Sequence, residues 1–513
     1  MTGFTEQHIV AIDLGSSKIA LIVAKVYGND AQIIYYKDTP SAGIKNSGIM
    51  NTQLGAKAIG SLIKDAEDAL NIKINQAVIG MPKWPVRQES NSGKIQDRGE
   101  YTEITQDDID ILKRFAQETY PLQAEDKEAI YGAVAQSFSD GENFQIKEDE
   151  IVGMASDVLE GHFKIFIGRK KDLTLADALL AKVGISARKK YFTADTTAQV
   201  VLSETEMDNG VALVDFGGGS TSVTIYQDGI MRHYASIPFG GKNVTQDIRG
   251  ELQITERLAE NIKLAFGACM PDRLQNLSEK VLHILDKDNG QDKQVTLKYL
   301  SEIITARMEE IIEAILYEIY KSGFAEHLRC GIVITGGAAQ TANLAMLINE
   351  MSGYKVRVGY PRTDMSDFDV DGTHDTPAAT VLGLVNAALK ESSINCAIDR
   401  NDTAETAIEP VEVEIPAQQE AVPESIEPQT PAEQEQPEVP EETEVHQEET
   451  VLQEETEVQE ETEVQETKTE KRRKWWNFGG VIWGTAQNIG EKVNQFIDGI
   501  TTDTETEEQE DEE

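Results

Sequence analysis

The chain has 513 residues and a formal net charge of −43, of which residues 409–470 (22 Glu, one Lys) and 501–513 (eight acids, no base) carry −29. The remaining 438 residues carry only −14, so no clustered basic surface is expected to hold duplex nucleic acid by phosphate neutralisation. Three scattered cysteines (Cys269, Cys330, Cys396) form no CxxC pair, which argues against a disulfide framework or zinc site and fits a reducing cytoplasm.

The start, Met1-Thr2-Gly3-Phe4-Thr5-Glu6, has no basic stretch before an apolar core, so no signal peptide is expected. No window of about 20 residues is continuously apolar, so no bilayer-spanning helix is expected. Up to about Ser392, strand-like apolar runs alternate with helical segments, the pattern of an α/β protein.

The segment from His8 to Val23 reads as strand, tight turn, strand, with Asp13-Leu14-Gly15-Ser16-Ser17-Lys18 at the turn. The same pattern returns from Val211 to Tyr226, with Asp215-Phe216-Gly217-Gly218-Gly219-Ser220 at the turn. Small residues let backbone N–H groups approach and cradle phosphate oxygens. An Asp at the strand end can hold a hydrated Mg²⁺ that offsets phosphate charge. Two such hairpins facing each other would clamp a polyphosphate between halves of a duplicated fold. Asp215-Phe216-Gly217 also spells the kinase metal motif. No His-Arg-Asp loop precedes it and no GxGxxG loop opens the chain, so the kinase reading fails. Further on, Ile332-Val333-Ile334-Thr335 ends in Gly336-Gly337-Ala338-Ala339-Gln340. Close backbone approach there would suit a flat adenine and its ribose, with a helix beginning near Thr341.

Residues 393–470 are rich in Glu, Pro, Gln, Thr and Ala, have no aromatic residue and repeat Glu-Glu-Thr-Glu-Val. Such a segment buries too little apolar surface to offset its ordering entropy, and reads as a disordered, self-repelling tether. The basic cluster Lys471-Arg472-Arg473-Lys474 follows, then Trp475 and Trp476. Apolar residues recur at Trp475, Phe478, Ile482, Ala486, Ile489, Val493, Phe496 and Ile500, in steps of three or four that line one helical face. Such a helix would lie in a membrane interface, with Trp475, Trp476, Phe478, Ile482 and Trp483 buried and Lys471–Lys474 on anionic headgroups.

The two hairpins and the later Gly-Gly loop, in this order and spacing, resemble the actin-like ATPase superfamily. The run Asp228 to Ile248, the stretch Ala259-Glu260-Asn261-Ile262-Lys263 and the terminal amphipathic helix resemble, more closely, the FtsA family of bacterial cell-division actin homologues. The resemblance implies an actin-like (ribonuclease H-like) duplicated two-domain ATPase fold. It implies subdomain 1A at 1–83 and 164–205, an inserted subdomain 1C at 84–163, 2A at 206–240 and 329–392, and 2B at 241–328. The tether (393–470), the membrane-targeting helix (471–500) and an acidic tail (501–513) would follow. Within 1C, Thr105-Gln106-Asp107-Asp108 looks like a helix start, with Ile109, Leu112, Phe115 and Ala116 at helical spacing.

The same resemblance implies ATP and Mg²⁺ as ligands. Asp13 and Asp215 would face the Mg²⁺, through water. Gly15, Ser16, Ser17 and Lys18 would meet the phosphates, with Gly217, Gly218, Gly219 and Ser220 opposite. Glu260 and Lys263 would flank the nucleoside, and Gly336, Gly337 and Ala338 would line the adenosine. It places a water-positioning residue at or beside Ala198, with Gln199 next to it. Asp195 departs from the small residues more usual there, so slow hydrolysis at most is expected. The implied partners are the FtsZ C-terminal tail at subdomain 2B, further copies of the chain through 1C, an anionic membrane and later division membrane proteins. The implied location is the cytoplasmic side of the inner membrane at the division site. Two rivals share the fold: a pilus assembly protein of the PilM kind and a small-metabolite kinase. The terminal helix tells against both.

Overall fold

His8–Leu14 and Lys18–Tyr27 are β-branched-rich runs long enough to pair in full register, Ile12 opposite Leu21 and Asp13 opposite Ala20. Residues 9–12 and 19–24 are almost wholly buried on both faces, which is why these strands read as continuous apolar runs rather than alternating ones. The computed structural model describes residues 7–400 apart from 98, 100, 101, 287–290, 363–369 and 392–393.

Two five-stranded sheets share one topology. In the first, the order is Ser186–Tyr191, Gln76–Gly80, His8–Leu14, Lys18–Tyr27, Asp30–Pro40. In the second it is Val356–Val358, Ile332–Thr335, Val211–Phe216, Thr221–Gln227, Ile230–Ile237. Each is an antiparallel three-stranded meander extended by two parallel strands. The parallel steps need crossover helices. In the first half one of these is Thr52–Leu70, capped by the Asn51 side-chain oxygen Oδ1, which accepts from the Gln53 and Leu54 N–H groups, and burying Ile59, Leu62, Ile63 and Ala66. In the second half Leu297–Lys321 starts at the cap Thr296 and buries Leu300, Ile304, Met308, Ile311, Ile312, Ile315 and Ile319.

Each half has its own apolar cluster, and a third forms the seam. There Phe166 and Phe192 of the first half stack at 4.5 Å, and Phe192 meets Tyr234 of the second half edge-on at 4.9 Å.

The inserted unit is a three-stranded sheet, Arg87–Ile95, Leu159–Arg169, Glu128–Ser139, covered by the helix Gln106–Glu118. Thr105 and Asp108 close a reciprocal capping box at the helix start. Ile109, Leu112 and Ala116 are buried, but Phe115, expected on the same face, is 47% exposed at its edge. The strand Leu159–Arg169 runs past the boundary expected at Phe163, because its second part continues the pairing with Arg87–Ile95. The unit also meets the second half's edge strand: the Gln136 side chain donates to the Met231 carbonyl at 2.9 Å, and the Tyr234 N–H donates to Gln88 at 2.9 Å.

Two expected boundaries are corrected. The resemblance places 329–392 in the second half, yet the helix Ala379–Leu389 packs into the first half's core through Val381, Leu382, Leu384, Val385 and Ala388. Its sequence has almost no polar face, so it needs cover on all sides. Gly383 allows this: a Cβ there would lie 2.5 Å from the Thr196 carbonyl. The tether was expected from Ser393, yet Cys396 and Ala397 are buried and Ala397–Asp399 pairs antiparallel with Ile72–Ile74. Residues 401–513, on which the expected acidic tether, the basic cluster Lys471–Lys474, the expected amphipathic helix with Trp475 to Phe496 and the acidic tail fall, lie outside the described residues. Among the described residues no helix is long and apolar enough to cross a membrane.

Candidate functional site

The two hairpins are built alike. A Cβ on Gly15 would fall 2.5 Å from the Lys18 carbonyl oxygen, and one on Gly217 would fall 2.6 Å from that of Ser220. Both turns fold the chain back over the same three-residue step, and only glycine fits at the first position. The Asp two residues earlier has the same register in each: Asp13 opposite Ala20, Asp215 opposite Ser222.

The tertiary fold brings these turns against each other. A Cβ on Gly218 would lie 2.0 Å from Ser17 Oγ, and one on Gly219 would lie 2.9 Å from both Ser16 Oγ and the Asn46 nitrogen. Ser47 completes the contact. Its N–H donates to Ser16 Oγ at 2.8 Å and its hydroxyl pairs with Ser220 Oγ at 2.7 Å. Asn46 and Ser47 both have positive φ, 46° and 60°. Sequence reasoning missed them; Asn46-Ser47-Gly48 is a turn signal, but nothing local says what the turn faces.

The helix Gly241–Leu252 docks its start on the second turn: Gly241 N–H donates to the Gly217 carbonyl at 3.0 Å and Lys242 N–H to that of Gly218 at 2.8 Å. Lys263, on the helix Glu256–Phe266, reaches the Gly241 carbonyl at 3.0 Å, Thr245 Oγ1 at 2.8 Å and the Glu260 carboxylate at 2.8 Å. Burial pushes the Lys263 pKa down, and Glu260 opposes it. Ala338 sits beside Gly241, 3.3 Å from where a Cβ would stand. Gly336 has φ +86°, and a Cβ on it would meet Asp215 at 2.5 Å. Gly337 faces open space. After Thr335 the chain makes a short 3-10 turn, Gly337–Gln340, and the helix expected near Thr341 begins at Leu344. Asp215, Gly217–Ser220, Gly241, Glu260, Lys263 and Gly336–Ala338 therefore form one neighbourhood. Asp13 and Gly15–Ser17 stand across the cleft from it.

The Lys18 side chain has partners within its own half. Its ammonium is held by Tyr36 Oη at 2.7 Å and the Asp38 carboxylate at 2.6 Å. Burial disfavours that charge, but Tyr36 and Asp38 outweigh it and raise the pKa. A second cation, Lys83, which sequence reasoning passed over, reaches the second half. Its Nζ rests on the Asp215 carboxylate. Burial raises the Asp13 pKa above its ordinary value; Lys83 and, less strongly, Lys18 oppose the rise, and Asp215 adds to it.

Ala198 and Gln199 do not offer a water-positioning group. Ala198 is buried in the seam. The Gln199 amide donates to Asp195 at 2.9 Å and its oxygen accepts from Lys390 at 2.6 Å. Asp195 in turn accepts from Tyr226 Oη at 2.9 Å. Asn386, on the helix Ala379–Leu389, also reaches the Gln199 oxygen at 3.4 Å.

Two carboxylates and two glycine-rich turns fit a hydrated Mg²⁺ carried on phosphates. No group of three His, Cys, Asp or Glu that could cage a bare ion occurs among the described residues. Mg²⁺ keeps several waters and takes one or two carboxylates plus phosphate oxygens.

Comparison with known proteins agrees with this architecture. A family model described as cell division protein FtsA matches residues 212–383. The FtsA of Neisseria meningitidis serogroup B is 29% identical over 393 residues, covering 75% of this chain and 91% of that protein. The FtsA of Borreliella burgdorferi is 28% identical over 380 residues (74% and 90%), and that of Bacillus subtilis 25% over 386 (75% and 84%). Among solved structures, a PilM-PilN type IV pilus biogenesis complex superposes with a TM-score of 0.53 at 12% identity, over 74% of this chain and 98% of that one; this likeness is one of fold. The duplicated sheets, the paired turns and a sequence likeness spanning most of the chain agree: the chain is similar to the FtsA cell-division proteins and has an actin-like fold.

Proposed function

We propose that the protein is an ATP-binding adaptor of cell division that polymerises and ties FtsZ filaments to the cytoplasmic membrane. The observation that carries the nucleotide part is the abutting of two equivalent turns, Gly15–Lys18 and Gly217–Ser220, across one cleft. Backbone N–H groups of both would cradle the β- and γ-phosphates, Asp13 and Asp215 would hold a hydrated Mg²⁺ that offsets their charge, and Gly336–Ala338 with Glu260 and Lys263 would take the adenosine. ATP then acts chiefly as a ligand that favours one arrangement of the halves. Because Gln199 is engaged elsewhere, turnover would be well below about 1 per second.

Residues 471–500 would supply the membrane contact, the second half's 241–328 the contact with the FtsZ tail, and the inserted sheet the contact with the next copy. Sequence likeness to FtsA supports this division of labour. Affinity of one amphipathic helix is modest, so a polymer presenting many would bind by avidity.

The test is co-sedimentation with anionic liposomes, with and without Mg-ATP and a peptide of the FtsZ C-terminal tail. Binding that requires residues 471–500 and recruits the peptide is the expected result. Binding without recruitment would remove the FtsZ role. No lipid binding would remove the anchoring role.

A further inference from the structure

Lys83 lies just past the strand Gln76–Gly80 of the first half, and its ammonium rests on Asp215 at the end of a central strand of the second half. The side chains are 15% and 7% exposed. Thr380 Oγ1 stands 3.4 Å from the same nitrogen. The lysine's main chain is anchored as well: its carbonyl accepts from Tyr234 Oη at 2.7 Å. Two carboxylates thus lie in this part of the cleft, Asp13 from one hairpin and Asp215 from the other; Lys83 is paired with Asp215, and against the burial that raises the Asp13 pKa it acts together with Lys18. Buried charges persist only when paired, so a cation is built into the place where a phosphate-bound metal would be needed.

We propose that Lys83 is the resident counter-cation of the cleft and competes with the divalent ion for Asp215. The proposal rests on the nucleotide reading above and adds a residue to it. Lysine suits the role because its charge is compact and its stem flexible. When a metal takes Asp215, the ammonium can swing off the carboxylate and onto a phosphate oxygen. The same ion pair joins the two halves while no metal is bound, so metal entry and release of this cross-cleft link are one event.

The test uses the full chain and Mn²⁺ alone, without nucleotide, with free Mn²⁺ read by electron paramagnetic resonance. Lys83→Gln should bind Mn²⁺ about tenfold more tightly than the parent or better, since one opposing unit charge has gone. Lys83→Arg, which keeps the charge, should stay close to the parent. A folded Lys83→Gln protein with unchanged Mn²⁺ affinity would overturn the proposal. Should Lys83→Gln not fold, the parent chain decides the matter. Acetylation of Lys83 by a small amine-reactive ester, quantified by mass spectrometry, should rise on adding Mn²⁺, and an unchanged rate refutes the competition. A fluorescent ATP analogue is titrated separately with and without Mg²⁺. Failure of the parent to bind it would refute the nucleotide reading, whereas the Mn²⁺ and acetylation readouts judge Lys83 on their own.

Discussion

The two hairpins have the same register and the same first glycine, yet differ in the rest of the turn: Ser16-Ser17-Lys18 in one, Gly218-Gly219-Ser220 in the other. Gly15 and Gly217 answer to their own chains, since the atom each would strike is a carbonyl oxygen three residues ahead. Gly218 and Gly219 answer to the opposite half, since what they would strike is Ser17, Ser16 and Asn46. One turn carries the side chains and the other makes room for them. A duplicated motif therefore diverges where its copies touch, and stays alike where each copy must close its own turn.

The halves differ in a second way: only the first is closed by a returning helix, Ala379–Leu389. The largest effect is expected there. Leu384→Ala should cost about 2–5 kcal/mol, the range for a fully buried leucine, read by urea unfolding; a loss under about 1 kcal/mol would mean the helix is not part of that core.

Gly15→Ala and Gly217→Ala should each cost about 1–3 kcal/mol, as for other overpacked sites, and to a similar extent, because each forces the same clash with rigid backbone. A cost at one site and none at the other would break the equivalence of the turns.

Gly218→Ala should be milder and, unlike those two, repairable from across the cleft. Adding Ser17→Gly removes the struck hydroxyl, so the pair should show a coupling of about 1 kcal/mol. Strict additivity would place the two turns apart in solution. Ser17→Gly should do nothing for Gly15→Ala.

The smallest effect is expected at Gln199. Gln199→Ala should leave ATP turnover within about twofold while costing about 1 kcal/mol of stability, the worth of its hydrogen bonds. A hundredfold loss of turnover would return Gln199 to the reaction.

Much of the fold was legible because it is written in local terms. β-branched runs punctuated by small residues gave both hairpins, and Thr105 with Asp108 marked the helix Gln106–Glu118 at its start. The partition of the later chain was not legible. An apolar helix such as Ala379–Leu389 announces that it is buried but not by which sheet, and the strand Ala397–Asp399 is too short to stand out beside a polar tether. In the site, glycines and paired aspartates were visible as types at a spacing. Lys83, Asn46 and Ser47 were not, since each is ordinary in its own segment and becomes part of the cleft only by contact with the other half.

The amino-acid sequence by itself determined the repeated Asp-x-Gly turn, the strands that flank it and the charge divide between body and tail, because these depend on backbone sterics, side-chain branching and composition over a few residues. Only the tertiary structure decided that Lys83 pairs with Asp215 while the Lys18 ammonium takes Tyr36 and Asp38, that Gln199 is spent on Lys390 and Asp195, and that residues beyond 378 return to the first half. Those outcomes depend on which distant groups compete for a side chain once the chain has closed, and a lysine or glutamine reaches far enough to take any of several partners.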